Sequence, residues 1–436
     1  MSASKNTPEP ANAGEEMYRF ISELYPLCRS ITGEGLRQTL GLIQQHIPLT
    51  IHEVPTGTPV FDWTVPQEWN IRDAYIKNAK GEKIVDFKKF NLHVVGYSVP
   101  VKKKLSWSEL KEHLFSLPDQ PDLIPYRTSY YKETWGFCLS HRQFLGLKDE
   151  EYEVCIDSSL TNGSLSYGEY FIQGASDDEV LLSCHACHPS LCNDNLSGIS
   201  LVTWLAKHLR PLSLRYSYRF LFIPVTIGSI AWLSRNENRL AHIKHGLVAA
   251  SVGDAGRSTY KKTRRGNAEV DRAVIHVLKQ SGQDYEVKEF IPYGYDERQY
   301  CSPAFDLPVG SLTRTPNGRY PEYHTSADNL DFVRPSYLAD SFQKYLSVID
   351  VFEHNARYRN TNPKCEPQLG KRGLYRAMGG HKDAGRRELA MLWVLNLSDG
   401  RHSLLDIAER SDMPFELIHS TAQTLLGHHL LELVSD

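Results

Sequence analysis

The sequence predicts an α/β protein with a small β-rich insert and a C-terminal helical unit of winged-helix type. Three observations carry this reading. Between residues 136 and 358, short and nearly continuous apolar runs alternate with helical patterns, as in sheets whose strands are buried on both faces. Ahead of them, residues 56–135 hold brief β-type runs among Pro, Gly and aromatic residues. Behind them, "RNTNPKCEPQLGKRG" (359–373) is a Pro/Gly/polar linker, and 374–436 reads helix, turn, helix, Pro-started helix and a closing strand.

Taken in order, residues 1–16, "MSASKNTPEPANAGEE", are polar and are expected to form a disordered tail. In "MYRFISELYPLCRSITGEGLRQTLGLIQQHI", Phe20, Ile21, Leu24 and Tyr25, then Leu36, Leu40 and Ile43, recur at three- to four-residue steps. The polar "CRSITGEG" between them breaks the pattern into two helices. Residues 17–55 thus precede the β-rich segment, and 136–358 follow it. Within the insert, 92–99 reads as a strand. "EVLLSC" (179–184), "YRFLFIPV" (218–225) and "GLVAASV" (246–252) read as buried parallel strands, and 196–209, 229–236, 269–280 and 337–352 as helices. In such sheets ligands sit outside the carboxyl ends of the strands.

The composition excludes several classes. At 436 residues, with 41% hydrophobic and 23% charged residues, the chain is long enough for a large core and has ordinary globular character. A net charge of -3 gives no global reason to expect nucleic acid or an anionic membrane as partner. No apolar run approaches the roughly 20 residues of a spanning helix. Eight Cys are too sparse for a disulfide scaffold, and the N-terminus lacks the apolar core of a secretory signal, so a reducing cytoplasm is expected.

The chemistry concentrates in "SCHACHPSLCNDNLSG" (183–198). His185 follows an apolar strand, Asp194 comes nine residues later, and "NLSG" opens a helix. Zinc takes imidazole nitrogen and carboxylate oxygen near 2 Å, which such a pair at a sheet edge can supply. "SVGDAG" puts Asp254 past the next strand, and "RYPEYHTSADN" puts His324 in a turn before the last long helix. Alternatives stand beside this. Either His alone is equally a hydrogen-bonded core residue, and an Asp after a strand is often a helix cap. Cys184 and Cys187 form a CxxC, but no second CxxC or HxxxH pair completes a thiolate site. Cys184, Cys187 and Cys192 are expected to pack as small apolar groups. "GYDERQY" (294–300) lies in a Gly/Pro/Tyr-rich loop, where Asp296, Arg298, Gln299 and Tyr300 are candidates to orient a substrate, Arg298 by a fork on a carboxylate. A structural loop salt bridge is the equal alternative.

H-x8-D-x-x-S-G, a later strand-end Asp and "YHTSADN" resemble the M28-type zinc aminopeptidases. "PLCRSITGEGLRQTL", "FDWTVPQEWNIRDAYI", "NLHVVGYSVP", "HPSLCNDNLSG", "RRGNAEVDRAV", "YDERQYCSPAFDLPVGSLTR" and "YPEYHTSADNLDFV" are similar to the DUF4910/DUF2172 aminopeptidase-like group over about residues 17–436. The resemblance implies a phosphorylase/hydrolase-like zinc-peptidase domain, interrupted by the β-rich insert, and a C-terminal winged helix. It implies His185, Asp194, Asp254 and His324 as metal ligands for one or two zinc ions, with Asp194 bridging if two bind. His188, which matches no ligand of the wider pattern, is close enough to substitute as a ligand or to contact substrate. The wider family carries Glu-Glu where "FIPVTIGS" holds Val225 and Thr226. The first Glu is the general base and the second a metal ligand, so both roles are vacant at those positions. Glu322, two residues before His324, is the nearest candidate base, and a surface loop Glu is the equal alternative.

The function expected is zinc-dependent hydrolysis of a peptide or small amide, with His324 and the metal stabilising the oxyanion. A catalytically silent binding scaffold is the rival. A DNA-binding regulator is a weaker one: residues 371–436 hold eight Lys/Arg against nine Asp/Glu, and "PFELIHSTAQTLLGHHLL" has neither Lys nor Arg. A contact between copies, through the insert or the winged helix, is the expected alternative use.

Overall fold

The structure, a computed structural model, describes residues 10–374 and 382–434. They divide into two compact units, Met1–Ala268 with Glu286–Gln343, and Glu269–Tyr285 with Lys344–Asp436. The fold is the mixed α/β class that the alternating pattern predicts.

An eight-stranded sheet forms the first unit's centre. Its order is Thr50–Pro55, Ser164–Ile172, Ser217–Ile223, Glu179–His185, Ile243–Ala249, Val309–Thr313, Ser258–Lys261 and Tyr285–Lys288. The four middle strands are parallel: His185 lies opposite Ile223, Ser183 opposite Val248, and Val248 opposite Ser311. Every residue of Glu179–His185 and Ser217–Ile223 is buried, which is why these strands read as continuous runs. The charge within Ser217–Ile223 is compensated: the buried Arg219 guanidinium donates to both Glu179 carboxylate oxygens at 2.7 and 2.8 Å. Parallel strands deliver their carboxyl ends to one edge. His185, the Val225–Thr226 turn and Ser251 therefore meet there. The helix Ser197–Leu209 begins at that edge, and Gly198 lets it dock closely, since a Cβ there would lie 2.4 Å from the Ala249 carbonyl oxygen.

A second, antiparallel sheet of the same unit has the order Lys83–Asp86, Glu68–Lys77, Glu151–Thr161, Val101–Ser106. The β-rich segment thus reaches Thr161, beyond the boundary expected at 135. The reason is visible in "EYEVCIDSSLT": Tyr152, Val154 and Ile156 alternate inward onto Ala74 and Ile76. The expected tail is also shorter. Pro10–Leu24 is a helix, and only residues 1–9 of that expectation lie outside the described residues.

In the second unit, the helices Lys382–Leu397, Leu404–Ser411 and Phe415–Gly427 accompany a three-stranded antiparallel sheet of Asp399–Ser403, Arg357–Asn360 and Leu431–Leu433. The linker expected at 359–373 is corrected at its start, because Arg359 and Asn360 lie in the central strand. Ser403 and Asp406 form a capping box that starts Leu404–Ser411. Arg272 of the helix Glu269–Gln280 pairs with Asp406 at 2.6 Å and also with Glu409. Among the described residues, no helix is long and apolar enough to cross a membrane.

Candidate metal centre

His185 is the last residue of its strand, so its side chain emerges at the sheet edge. The chain then turns through His188 and enters a one-turn helical segment, Cys192–Leu196, that carries Asp194 and runs into Ser197–Leu209. One ligand atom each from His185, His188 and Asp194 lies within 4.8 Å of the others. His324, held at φ 55 in the loop before Pro335–His354, brings its Nε2 to 2.9 Å from Asp194 Oδ2. The His188 and His185 Nε2 atoms lie 3.6 and 3.8 Å from the same carboxylate. Three imidazoles and one carboxylate thus converge.

The electrostatics suit a cation. The side chains of His185 and Asp194 are each 1% exposed. Both ring nitrogens of His185 are buried without a hydrogen-bond partner, and Asp194 Oδ2 meets only the imidazoles. Such orphaned groups are costly unless a ligand satisfies them. Burial pushes His185 below its usual pKa and His188 well below it, which keeps both imidazoles neutral and able to coordinate. Burial alone would raise the Asp194 pKa, but His188, His324 and His185 outweigh it and hold the carboxyl low.

Residues that the sequence reading did not single out hold this arrangement. The Asp328 carboxylate accepts from the Asn193 N–H at 2.6 Å and the Asp194 N–H at 3.0 Å, tying the His324 loop to the Asp194 turn. Burial raises the Asp328 pKa to about 8. The buried Arg29 Nε donates to the His188 carbonyl at 2.9 Å, and Asn195 Nδ2 donates to it at 2.8 Å. The Tyr126 N–H donates to the His324 carbonyl at 2.8 Å, while Tyr323 stacks on the His324 ring with centroids 3.9 Å apart. Tyr295 stacks on His185, and its hydroxyl lies 3.4 Å from Asp194 Oδ1 and 2.9 Å from Ser251 Oγ.

The structure separates two of the expected ligands. Asp254 does not join the converging atoms. Its oxygens accept from Asn193 Nδ2 (2.9 Å), the Thr315 N–H (3.2 Å), the Gly256 N–H (2.7 Å) and Thr315 Oγ1 (2.5 Å). Four local donors make it a loop buttress. His188, by contrast, belongs to the converging set. Cys184, Cys187 and Cys192 are fully buried, and burial raises each thiol pKa, which disfavours the thiolate a zinc site needs.

The centre opens into a cleft of about 330 Å³. Its walls include Tyr126, Tyr130, Tyr295, Tyr323, Val225, Ile230 and Arg298. Asp194 is its only carboxylate among the described residues. Glu322, the expected base, is half-buried outside these walls. Of the other loop candidates, only Arg298 faces the cleft. Asp296 is fully buried and accepts from Ser229 Oγ at 2.7 Å, with its pKa pushed up to about 7 by burial. Tyr300 is buried against Ser183 Oγ at 3.0 Å, and Gln299 lies off the walls. A larger cavity of about 440 Å³ around Tyr25, Cys28, Trp69 and Asn91 holds none of the converging ligands.

Residues 18–355 match the family described as a domain of unknown function, DUF4910, and residues 356–433 match a winged helix-turn-helix family. The chain is 56% identical over 431 residues, 99% of each chain, to a Clostridium acetobutylicum protein described as a candidate polysaccharide biosynthesis protein with an aminopeptidase-like domain. A solved structure from Clostridium acetobutylicum, described as a candidate peptidase, is similar with a TM-score of 0.94 and 55% identity over 98% of both chains. A zinc aminopeptidase from Bacillus subtilis shares the fold, with a TM-score of 0.56 and 12% identity over 78% of this chain and 94% of the other.

Proposed function

The chain belongs to the DUF4910 family, and from that premise we propose that it is a zinc-dependent hydrolase of aminopeptidase type acting on a peptide or other small amide. The observation that carries the reading is the convergence of His185, His188, Asp194 and His324, with both His185 ring nitrogens buried and unpartnered, in the wall of a cleft. Three imidazole nitrogens and a carboxylate oxygen match the donors zinc prefers. The reading takes one ion, because Asp254 is spent on its own loop. Zinc, when bound, polarises an amide carbonyl and lowers the pKa of a bound water.

The chain's own contribution is positioning. Arg29 and Asn195 fix the His188 backbone, Asp328 fixes the Asp194 turn, and Tyr126 and Tyr323 fix His324. His324 serves as a ligand in this scheme, since its Nε2 faces Asp194. Tyr126, Tyr130, Tyr295 and Tyr323 supply aromatic walls beside the converging ligands. The description of the 56% identical relative supports placing the substrate among small amides made in a biosynthetic pathway.

A second reading, a metal- and ligand-binding scaffold without turnover, is favoured by one observation: Val225 lines the cleft and no carboxylate besides Asp194 does. General-base help within about 2.6–3.2 Å, directly or through one water, is what a hydrolytic site needs. The test is elemental analysis of the purified full chain, followed by turnover on a library of dipeptides and small amides. Stoichiometric zinc with release of product supports the hydrolase. Stoichiometric zinc without cleavage of any amide supports the scaffold. Absence of zinc binding removes both.

A further inference from the structure

We infer that Arg298 makes this cleft selective for small amides that carry a free carboxylate. The inference rests on reading the cleft as the substrate site, and it adds the substrate's charge. Arg298 belongs to "DERQ", in which two carboxylates precede the guanidinium in the chain. The fold turns both away from it. Asp296 is fully buried and bonded to Ser229 Oγ, and Glu297, also fully buried, pairs with Lys261 and accepts from the Tyr295 N–H at 3.2 Å. Arg298 alone of the three lines the cleft.

Its Nε is buried and has no hydrogen-bond partner. Among the described residues, no carboxylate forms an ion pair with it; Asp296 acts on it only at longer range. The remaining cleft carboxylate, Asp194, is surrounded by three imidazoles. A half-buried guanidinium in a cleft wall, with no carboxylate at ion-pair distance, gains when an anion enters and pairs with it. The planar guanidinium presents two parallel N–H donors, the geometry of a carboxylate.

The cavity's size sets the rest of the molecule. At about 330 Å³ it lies at the low end of small-molecule sites, which span about 300–1,000 Å³. A dipeptide or an N-acylated amino acid fits such a volume; a folded polypeptide does not enter. Trp63 and Tyr131, with ring centroids 5.6 Å apart, and the exposed Tyr293 furnish an aromatic rim for apolar or ring-shaped parts.

The experiment is calorimetric titration of the full chain, zinc-loaded and metal-free, with alanyl-alanine, alanyl-alaninamide and inorganic phosphate. Alanyl-alanine should bind about 10–100-fold more tightly than its carboxamide, the increment of a charged hydrogen-bonded pair. Arg298→Gln should erase that preference while leaving carboxamide affinity within about threefold, and Arg298→Lys should restore part of it. Equal affinities in the unmodified chain, a preference that survives Arg298→Gln, phosphate binding more tightly than alanyl-alanine in the metal-free chain, or no binding of any probe each overturn the inference. Zinc content measured on the same samples separates this outcome from the metal reading. A chain without zinc that keeps the carboxylate preference loses the metal centre and keeps Arg298's role; zinc without the preference does the reverse.

Discussion

Two parts of one cleft are built from opposite materials. Along the turn 185–194 and at His324, the wall is titratable, with three imidazoles gathered on one buried carboxylate. Along 225–230, at the end of the neighbouring parallel strand, it is Val225, Thr226, Ile227 and Ile230. Holding a cation needs only the first part. Moving a proton needs an acid or base in the second, and none is there. The difference teaches that metal binding and hydrolysis are separable demands on one sheet edge, so experiments on the two parts should give unlike results.

The largest effect is expected at Asp194, the one group to which all three imidazoles point. Asp194→Asn removes the negative charge and leaves three neutral donors. Stoichiometric zinc should be lost after dialysis, by elemental analysis, a larger fall than the about 10–100-fold that a supporting residue produces. Retention of one zinc per chain would break the comparison at its stronger side.

Next comes the aliphatic part. Val225→Glu puts a carboxylate into the cleft wall, and general-base help is worth about 10²–10⁴-fold. Amide hydrolysis should rise within that range if the ligands are otherwise competent. Glu322→Gln should change turnover by less than about twofold, because Glu322 lies outside the walls. Brisk turnover in the unmodified chain that Glu322→Gln abolishes would show that a base reaches the site from the loop, and the contrast between the two parts would fail.

A smaller effect separates ligands from their supports. Arg29→Met leaves the His188 carbonyl with Asn195 alone, and zinc affinity should fall by about 10–100-fold. Arg29→Lys keeps the charge but not the reach of Nε, and should recover part of the loss. Affinity unchanged in both would mean that the His188 turn is fixed by Asn195 and packing.

These residues also show what the sequence could reveal. His185, Asp194 and His324 were legible because each follows from strand ends and a helix start, which local pattern announces. The four-stranded sheet was legible only in part, since "EYEVCIDSSLT" alternates like a strand but says nothing of its partners. Arg29 and Tyr126 reach the centre from 159 residues before His188 and from the β-rich segment, and no periodicity encodes such a meeting. Glu322 lies outside the cleft walls because proximity in sequence to His324 does not fix the direction of a side chain in a turn. Tyr300 faces away from the cleft because the short helix Glu297–Tyr300 sends residues two apart to opposite sides, Arg298 to the cleft and Tyr300 to Ser183.

Asp254 is the finest test of the distinction between an open and a satisfied carboxylate. It and Asp194 follow adjacent parallel strands at the same edge, and both are buried, so position alone makes them equivalent. Their partners do not. Asp194 Oδ2 faces only the imidazoles of His324 and His188, whereas Asp254 receives two backbone N–H groups, the Thr315 hydroxyl and the Asn193 amide. Asp254→Asn replaces one acceptor oxygen by a donor that faces other donors. The cost should appear as stability, about 1–3 kcal/mol for an unsatisfied buried group, read as a lowered midpoint in denaturant. Asn193 adjoins Asp194, so zinc affinity should weaken too, but by no more than about tenfold. Loss of zinc as complete as in Asp194→Asn, with the fold intact, would mean that Asp254 leaves its four donors to bind metal, and that a satisfied carboxylate is no guide to which groups are ligands.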